Sequence, residues 1–222
     1  MTERPASGLH RRTVLGGIGL GGALAAGNAP SLVMAQASPA EPAPAPVGPP
    51  ASAAPAAKAV EAVRDPILRI SREVWATPEL SLAEFKSMEI HLRELEAAGF
   101  RTVSRGTSGV PTAFVSEWSQ GSGGPIVGYL PEYDALPGLG NAAEPRQAPG
   151  PTGAAVGHGC GHNCLGAGCT GAAFALKLMM QETGTPGTIR VYGCAAEEVE
   201  GAKVYMARDN LFADLDLSLI HI

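Results

Sequence analysis

Between residues 60 and 76, apolar side chains recur at helical spacing: Val60, Val63, Ile67, Ile70 and Val74, with polar residues between them. Pro66 falls inside this pattern. A first turn tolerates proline, so the helix is predicted to begin there with Asp65 as its cap. After the Thr77-Pro78 break, Ser81 and Glu84 have the spacing of a capping box. Phe85, Met88, Leu92 and Leu95 then form the stripe of a second helix that stops at Gly99. Short β-like runs follow at 101–104, 112–118 and 125–130. Residues 138–157 are rich in glycine, proline and alanine and are predicted as loop. A small-residue helix is predicted from about 163 to 182 with Asn163 as its cap, followed by an apolar strand over 189–194. Helices and strands in this order predict an α/β fold with helices packed on a sheet.

Three polar clusters punctuate the pattern. Glu132 and Asp134 follow the strand at 125–130, His158 to Cys164 open the long helix, and Glu197-Glu198 follow the strand at 189–194. Ligands of open α/β sheets gather at the carboxyl ends of strands, so the three clusters are expected to converge.

Composition changes the picture at the N-terminus. His10-Arg11-Arg12 precedes a small, apolar stretch at 16–26, and Ala35-Gln36-Ala37 supplies a small-x-small cleavage site. Together these read as a signal peptide over 1–37, the arginine pair pointing to twin-arginine export and a periplasmic or extracellular destination. Residues 38–57 are almost only alanine and proline, a linker too poor in burial to offset its ordering entropy. The folded part is therefore expected from residue 58. A formal net charge of −5 argues against a nucleic-acid partner, and no run in the body of the chain suits a membrane span.

The chemistry concentrates in His158-Gly159-Cys160-Gly161-His162. A thiolate and an imidazole two residues apart can chelate one ion, and the pair favours zinc. His158 reads either as a ligand or as a loop histidine bonded to backbone. Cys164 and Cys169 are expected to pack within the helix, and an oxidising destination leaves a Cys164–Cys169 or Cys169–Cys194 bridge open. Glu197 and Glu198, adjacent at a strand end, are expected to point in different directions, one to metal and one to substrate. Glu200 reads as surface. Two other readings compete: a thiol hydrolase with Cys160 as nucleophile, and a non-catalytic metal- or peptide-binding module. A phosphate loop is disfavoured because no Gly-Lys-Ser/Thr follows the glycines.

Glu-Tyr-Asp-Ala-Leu-Pro-Gly, Gly-His-Gly-Cys-Gly-His-Asn and Gly-Thr-Ile-Arg-Val-Tyr-Gly-Cys-Ala-Ala-Glu-Glu occur in this order. They resemble the amidohydrolase branch of metallopeptidase family twenty, which includes aminobenzoyl-glutamate hydrolase B-type subunits and the aminoacylase-like and indole-acetyl-amino-acid hydrolases. The resemblance runs over roughly 60–216. It implies a zinc-exopeptidase-like catalytic domain that hydrolyses amide bonds of N-acyl or N-aroyl amino acids or small peptides. It also implies up to two divalent ions, zinc first, with manganese or cobalt as alternatives. Cys160, His162 and Glu198 would be metal ligands, Glu197 the general base toward an activated water, and Asp134 the residue that orients the site. Asn163 stands where many relatives carry aspartate, and Ala195 where proline is usual. Relatives also have further histidine ligands, a lid and dimerisation domain, and a returning half of the catalytic domain. Residues 58–216 are therefore expected to be the N-terminal part of such a domain, inactive alone, with homodimers or subunit pairing a property of the full-length protein. Leu217-Ser218-Leu219-Ile220-His221-Ile222 also match a translated sequencing adapter, so 217–222 are expected to be a non-native tail with no ligand role for His221.

Overall fold

The computed structural model describes residues 53–219. The signal peptide at 1–37, most of the linker, and 220–222 lie outside the described residues. The linker ends earlier than its composition suggests, because helix α1 (Ala53–Ala62) begins inside it. Alanine is the best helix former, and Pro55 falls in the first turn, where a missing N–H costs no intrahelical bond. Helix α2 (Arg64–Ala76) takes Pro66 in its first turn, as expected. Asp65 lies within that turn instead of capping it, and no side chain caps the helix at Val63.

Helix α3 (Phe85–Ala97) overturns the capping box. The Glu79 carboxylate accepts the Lys86 and Ser87 N–H groups at 3.1 and 2.8 Å, while the Ser81 and Glu84 side chains turn inward to other partners. Met88, Leu92 and Leu95 are buried, but Phe85 is exposed. The helix stops before Gly99, as the sequence predicts, and the Phe100 N–H closes onto the Leu95 carbonyl at 2.9 Å.

Strands β1 (Arg101–Arg105), β2 (Phe114–Gln120) and β3 (Ile126–Tyr129) follow. A small antiparallel pair, β4 (Leu136–Pro137) and β5 (Val156–Gly157), spans the glycine-rich loop. The long helix α4 (His162–Thr183) leads to β6 (Gly187–Gly193), α5 (Ala202–Arg208) and β7 (Leu217–Leu219). The main sheet has five strands in the order β1-β2-β6-β3-β7. Its β1/β2 and β2/β6 pairs are antiparallel, and its β6/β3 and β3/β7 pairs are parallel. Ile70 and Val74 of α2, Leu92 and Leu95 of α3, and Ile189 and Val191 of β6 are buried in one core. Each such side chain contributes about 1.5–3 kcal/mol through removal from water.

Leu217–Leu219, expected as a tail, pair as an edge strand with β3, and the Leu219 carbonyl accepts the Leu130 N–H. A backbone ladder recruits an extended segment whatever its side chains, and Leu217 and Ser218 are exposed. Among the described residues, no helix is long and apolar enough to cross a membrane.

Candidate metal centre

The adjacent parallel strands β3 and β6 place their carboxyl ends side by side, and the Cys194 N–H donates to the Pro131 carbonyl at 2.8 Å. Glu132 and Asp134 leave the first strand here, and Glu197 and Glu198 leave the second. His162 is the first residue of α4. Gly161, at φ 84°, makes the left-handed turn that carries the chain from Cys160 into that helix. Asn163, expected as the cap, is already inside α4 and donates to Ser71 at 3.4 Å, fixing α4 to α2. Close seating of α4 depends on Gly166, because a Cβ there would strike the Glu132 carbonyl.

Asp134 organises the site. Its Oδ1 and its main-chain oxygen each lie 3.0 Å from His162 Nδ1, and its Oδ2 accepts from Ser81 Oγ and the Glu198 N–H at 2.9 Å each. The proton of a neutral His162 therefore belongs on Nδ1, and Nε2 presents its lone pair to the carboxylates. Glu132 lies 3.4 Å from Nε2, Glu197 3.7 Å and Glu198 3.9 Å. Burial opposes charge on His162, but the Asp134 hydrogen bond and the nearby carboxylates outweigh it and raise its pKa. Burial alone would raise the Asp134 pKa; bonds from His162, the Glu198 amide and Ser81 hold it below the ordinary carboxylate value.

The structure brings together all five residues singled out in the sequence: Asp134, Cys160, His162, Glu197 and Glu198. Donor atoms of Cys160, His162 and Glu198 lie within 4.8 Å of one another, and so do those of Glu132, His162 and Glu197. Thiol, imidazole and crowded carboxylates fit a divalent cation. Glu197 and Glu198 both approach His162 Nε2, yet they fall in different donor groups, Glu198 with Cys160 and Glu197 with Glu132. The left-handed backbone of Ala196, at φ 54°, turns both toward His162.

Sequence reasoning places Glu132 in a polar cluster without giving it a role, and it passes over Lys203, whose Nζ pairs with Glu132. The signal for Glu132 is its place two residues before Asp134, on the same side of an extended chain. His158 is bound to backbone, its Nε2 3.2 Å from the Val74 carbonyl. All four cysteines are free; Cys164 is exposed instead of packed, Cys169 is half-buried and Cys194 is buried. Glu200 is exposed, as expected.

Residues 132–222, which include every one of these acidic, thiol and imidazole donors, match the family model for Peptidase family M20/M25/M40. Over this segment the chain is similar to the M20 peptidases. It is 41% identical over 161 residues to one of the subunits of p-aminobenzoyl-glutamate hydrolase of Escherichia coli, covering 72% of this chain and 33% of that protein. It is 31% identical over 157 residues to Xaa-Arg dipeptidase of Mus musculus, covering 67% and 32% respectively. The chain thus spans about a third of the length of these curated relatives. The fold recurs in the Bacillus subtilis YXEP protein, a dinuclear metal-binding peptidase of the M20 family, at a TM-score of 0.58 and 21% identity over 71% of this chain and 42% of that one. It recurs in the aminobenzoyl-glutamate utilization protein of Klebsiella pneumoniae, at 0.52 and 15% over 73% and 44%.

Proposed function

We propose that this chain is the metal-holding part of an exported amidohydrolase acting on N-acyl or N-aroyl amino acids or small peptides. The observation that carries the reading is the convergence of Cys160, His162 and Glu198 around an imidazole fixed by Asp134. The matched relatives support the substrate class, since their names specify an aminobenzoyl-glutamate amide and a dipeptide. Zinc is proposed ahead of manganese or cobalt because a thiol is among the donors. A divalent ion held there would supply Lewis-acid activation of a water and a carbonyl group.

The chain's own residues divide the remaining work. Asp134 orients His162. Glu197, with 34% of its side chain exposed against 21% for Glu198, is the carboxylate substrate can reach. It is assigned the proton transfer, taking a proton from water and passing it to the leaving amine. Glu132, paired with Lys203, forms the buried floor. The chain by itself is proposed to be inactive, because it spans only about a third of the length of the relatives it matches. Twin-arginine export to a periplasmic or extracellular destination, and assembly as a homodimer or with a related subunit, belong to the same proposal for the whole protein.

The thiol-hydrolase alternative fares worse. Partial desolvation and the Glu198 and Glu197 carboxylates push the Cys160 thiol up, opposite to what a nucleophilic cysteine needs. Two measurements on the complete enzyme decide. Turnover of an N-aroyl amino acid should stop on chelation and return with zinc, and Glu197→Gln should abolish turnover with metal content intact. Turnover that survives chelation and is lost in Cys160→Ala would establish the thiol mechanism instead. Retained metal without turnover in the unmodified enzyme would establish a binding module.

A further inference from the structure

Two carboxylates bracket the turn that carries Glu197 and Glu198, and only Asp134 belongs to the site described above. The Glu198 N–H donates to Asp134 Oδ2 at 2.9 Å. On the other side, the Ala196 N–H donates to Glu84 Oε1 at 2.6 Å. Ala196 is a non-glycine residue in the left-handed region, a conformation that costs about 1–2 kcal/mol. Its carbonyl accepts from the Val199, Glu200 and Gly201 N–H groups at 3.3, 3.0 and 2.6 Å, closing the turn. Ala196 is thus a pivot whose two polar groups are both bonded, and its conformation sends both glutamates toward His162.

Glu84 is fully buried at the start of α3. Its second oxygen accepts from Thr112 Oγ1 at 2.6 Å, and the Thr112 carbonyl accepts from Tyr133 Oη at 2.7 Å. Tyr133 is itself the neighbour of Asp134, so the two brackets meet in the chain. A buried carboxylate is costly, and an apolar residue would fill the same space at less expense. Two short hydrogen bonds offset that cost, and one of them holds the strained turn.

We propose that Glu84 is a positioning residue for the Glu197-Glu198 pair: its buried carboxylate pins the Ala196 amide and so sets the direction in which both glutamates leave the turn. The consequence for metal rests on the function proposed above; the consequence for the turn does not.

Hydrogen exchange by mass spectrometry on the full chain tests the turn directly. In Glu84→Ala, exchange over residues 195–201 should rise about tenfold or more, the loss expected for a hydrogen bond to a charged group. Glu84→Gln keeps an oxygen for the Ala196 N–H and should stay within about threefold of the unmodified chain, because a neutral acceptor loses only part of the bond. Leu92→Ala, a core truncation, corrects for general destabilisation and should leave this segment close to the unmodified chain. Zinc titration of the same variants should show affinity about 10–100-fold weaker in Glu84→Ala, with rescue in Glu84→Gln. Exchange in Glu84→Ala no faster than in Leu92→Ala would overturn the inference. Should Glu84→Ala fail to fold, Thr112→Val takes its place: faster exchange over 195–201 supports the bracket, and unchanged exchange refutes it. An unmodified chain that binds no zinc would sink the metal reading alone, because exchange still decides the role of Glu84.

Discussion

His162 Nδ1 lies 3.0 Å from both the Oδ1 and the main-chain oxygen of Asp134, so one residue grips the imidazole twice. That grip fixes the tautomer and points Nε2 at Glu132, Glu197 and Glu198. Removing the carboxylate leaves the main-chain contact but releases Ser81 and the Glu198 amide together. Asp134→Ala should therefore weaken zinc binding about 10–100-fold, measured by competition with a chromophoric chelator. An affinity equal to that of the unmodified chain would mean that the imidazole is aligned by packing alone.

The same pair gives metal-free stability a defined pH window. His162 has a raised pKa, so its contribution is complete below the ordinary histidine value and is lost as pH rises through the raised one. Asp134 has a lowered pKa, so its contribution is present above the ordinary aspartate value and is lost as pH falls through the lowered one. Urea unfolding with chelator present should show the largest stability gap between the unmodified chain and Asp134→Asn at about pH 4–6.5. The gap should shrink toward alkaline pH. A gap that grows with pH would contradict the ion pair.

His91 acts with the opposite sign. Its ring is fully buried, Nδ1 is 2.9 Å from Thr170 Oγ1, and burial lowers its pKa to about 3. The unfolded chain therefore binds a proton that the folded chain refuses between pH 6.5 and about 3. Stability should fall as pH drops through this window, by about 1.4 kcal/mol per pH unit from this residue. His91→Gln can keep the bond to Thr170 and should flatten the acid limb by that slope in denaturant titrations. An unchanged slope would assign acid lability to other groups.

Gly166 and Gly168 form a matched pair on α4. A methyl group at Gly166 meets the Glu132 carbonyl, which is backbone and can yield only if its loop shifts, whereas one at Gly168 meets nothing within 4 Å. Gly166→Ala should cost about 1–3 kcal/mol and loosen zinc binding, since it displaces the loop bearing Glu132 and Asp134. Gly168→Ala should be neutral or stabilising by about 0.5–1 kcal/mol, from helix propensity alone. Thermal unfolding of both variants checks the contrast, and equal effects would show that α4 has room to shift.

The sequence by itself determined the elements and the chemical identity of the donors. Period and punctuation located α3, α4 and β6 to within a few residues, because apolar spacing and glycine or proline stops act over one or two turns of chain. The placement of polar residues after strands foretold that Asp134, His162, Glu197 and Glu198 would meet, because strand ends in an α/β sheet share one edge. Tertiary structure decided what each polar side chain bonds to. Ser81 and Glu84 have the local spacing of a cap, yet they bond to Asp134 and to Ala196 across the fold, and Glu79 caps α3 in their place. The convergence of Glu197 and Glu198 likewise depends on a left-handed alanine that no local signal marks. Glu132 gained its place beside His162 only when Gly166 let α4 close on its backbone. Local propensities are worth tenths of a kcal/mol to about one, whereas a buried carboxylate without partners costs several. Once the core forms, the buried acids take whichever donors satisfy them, and that competition shaped the site.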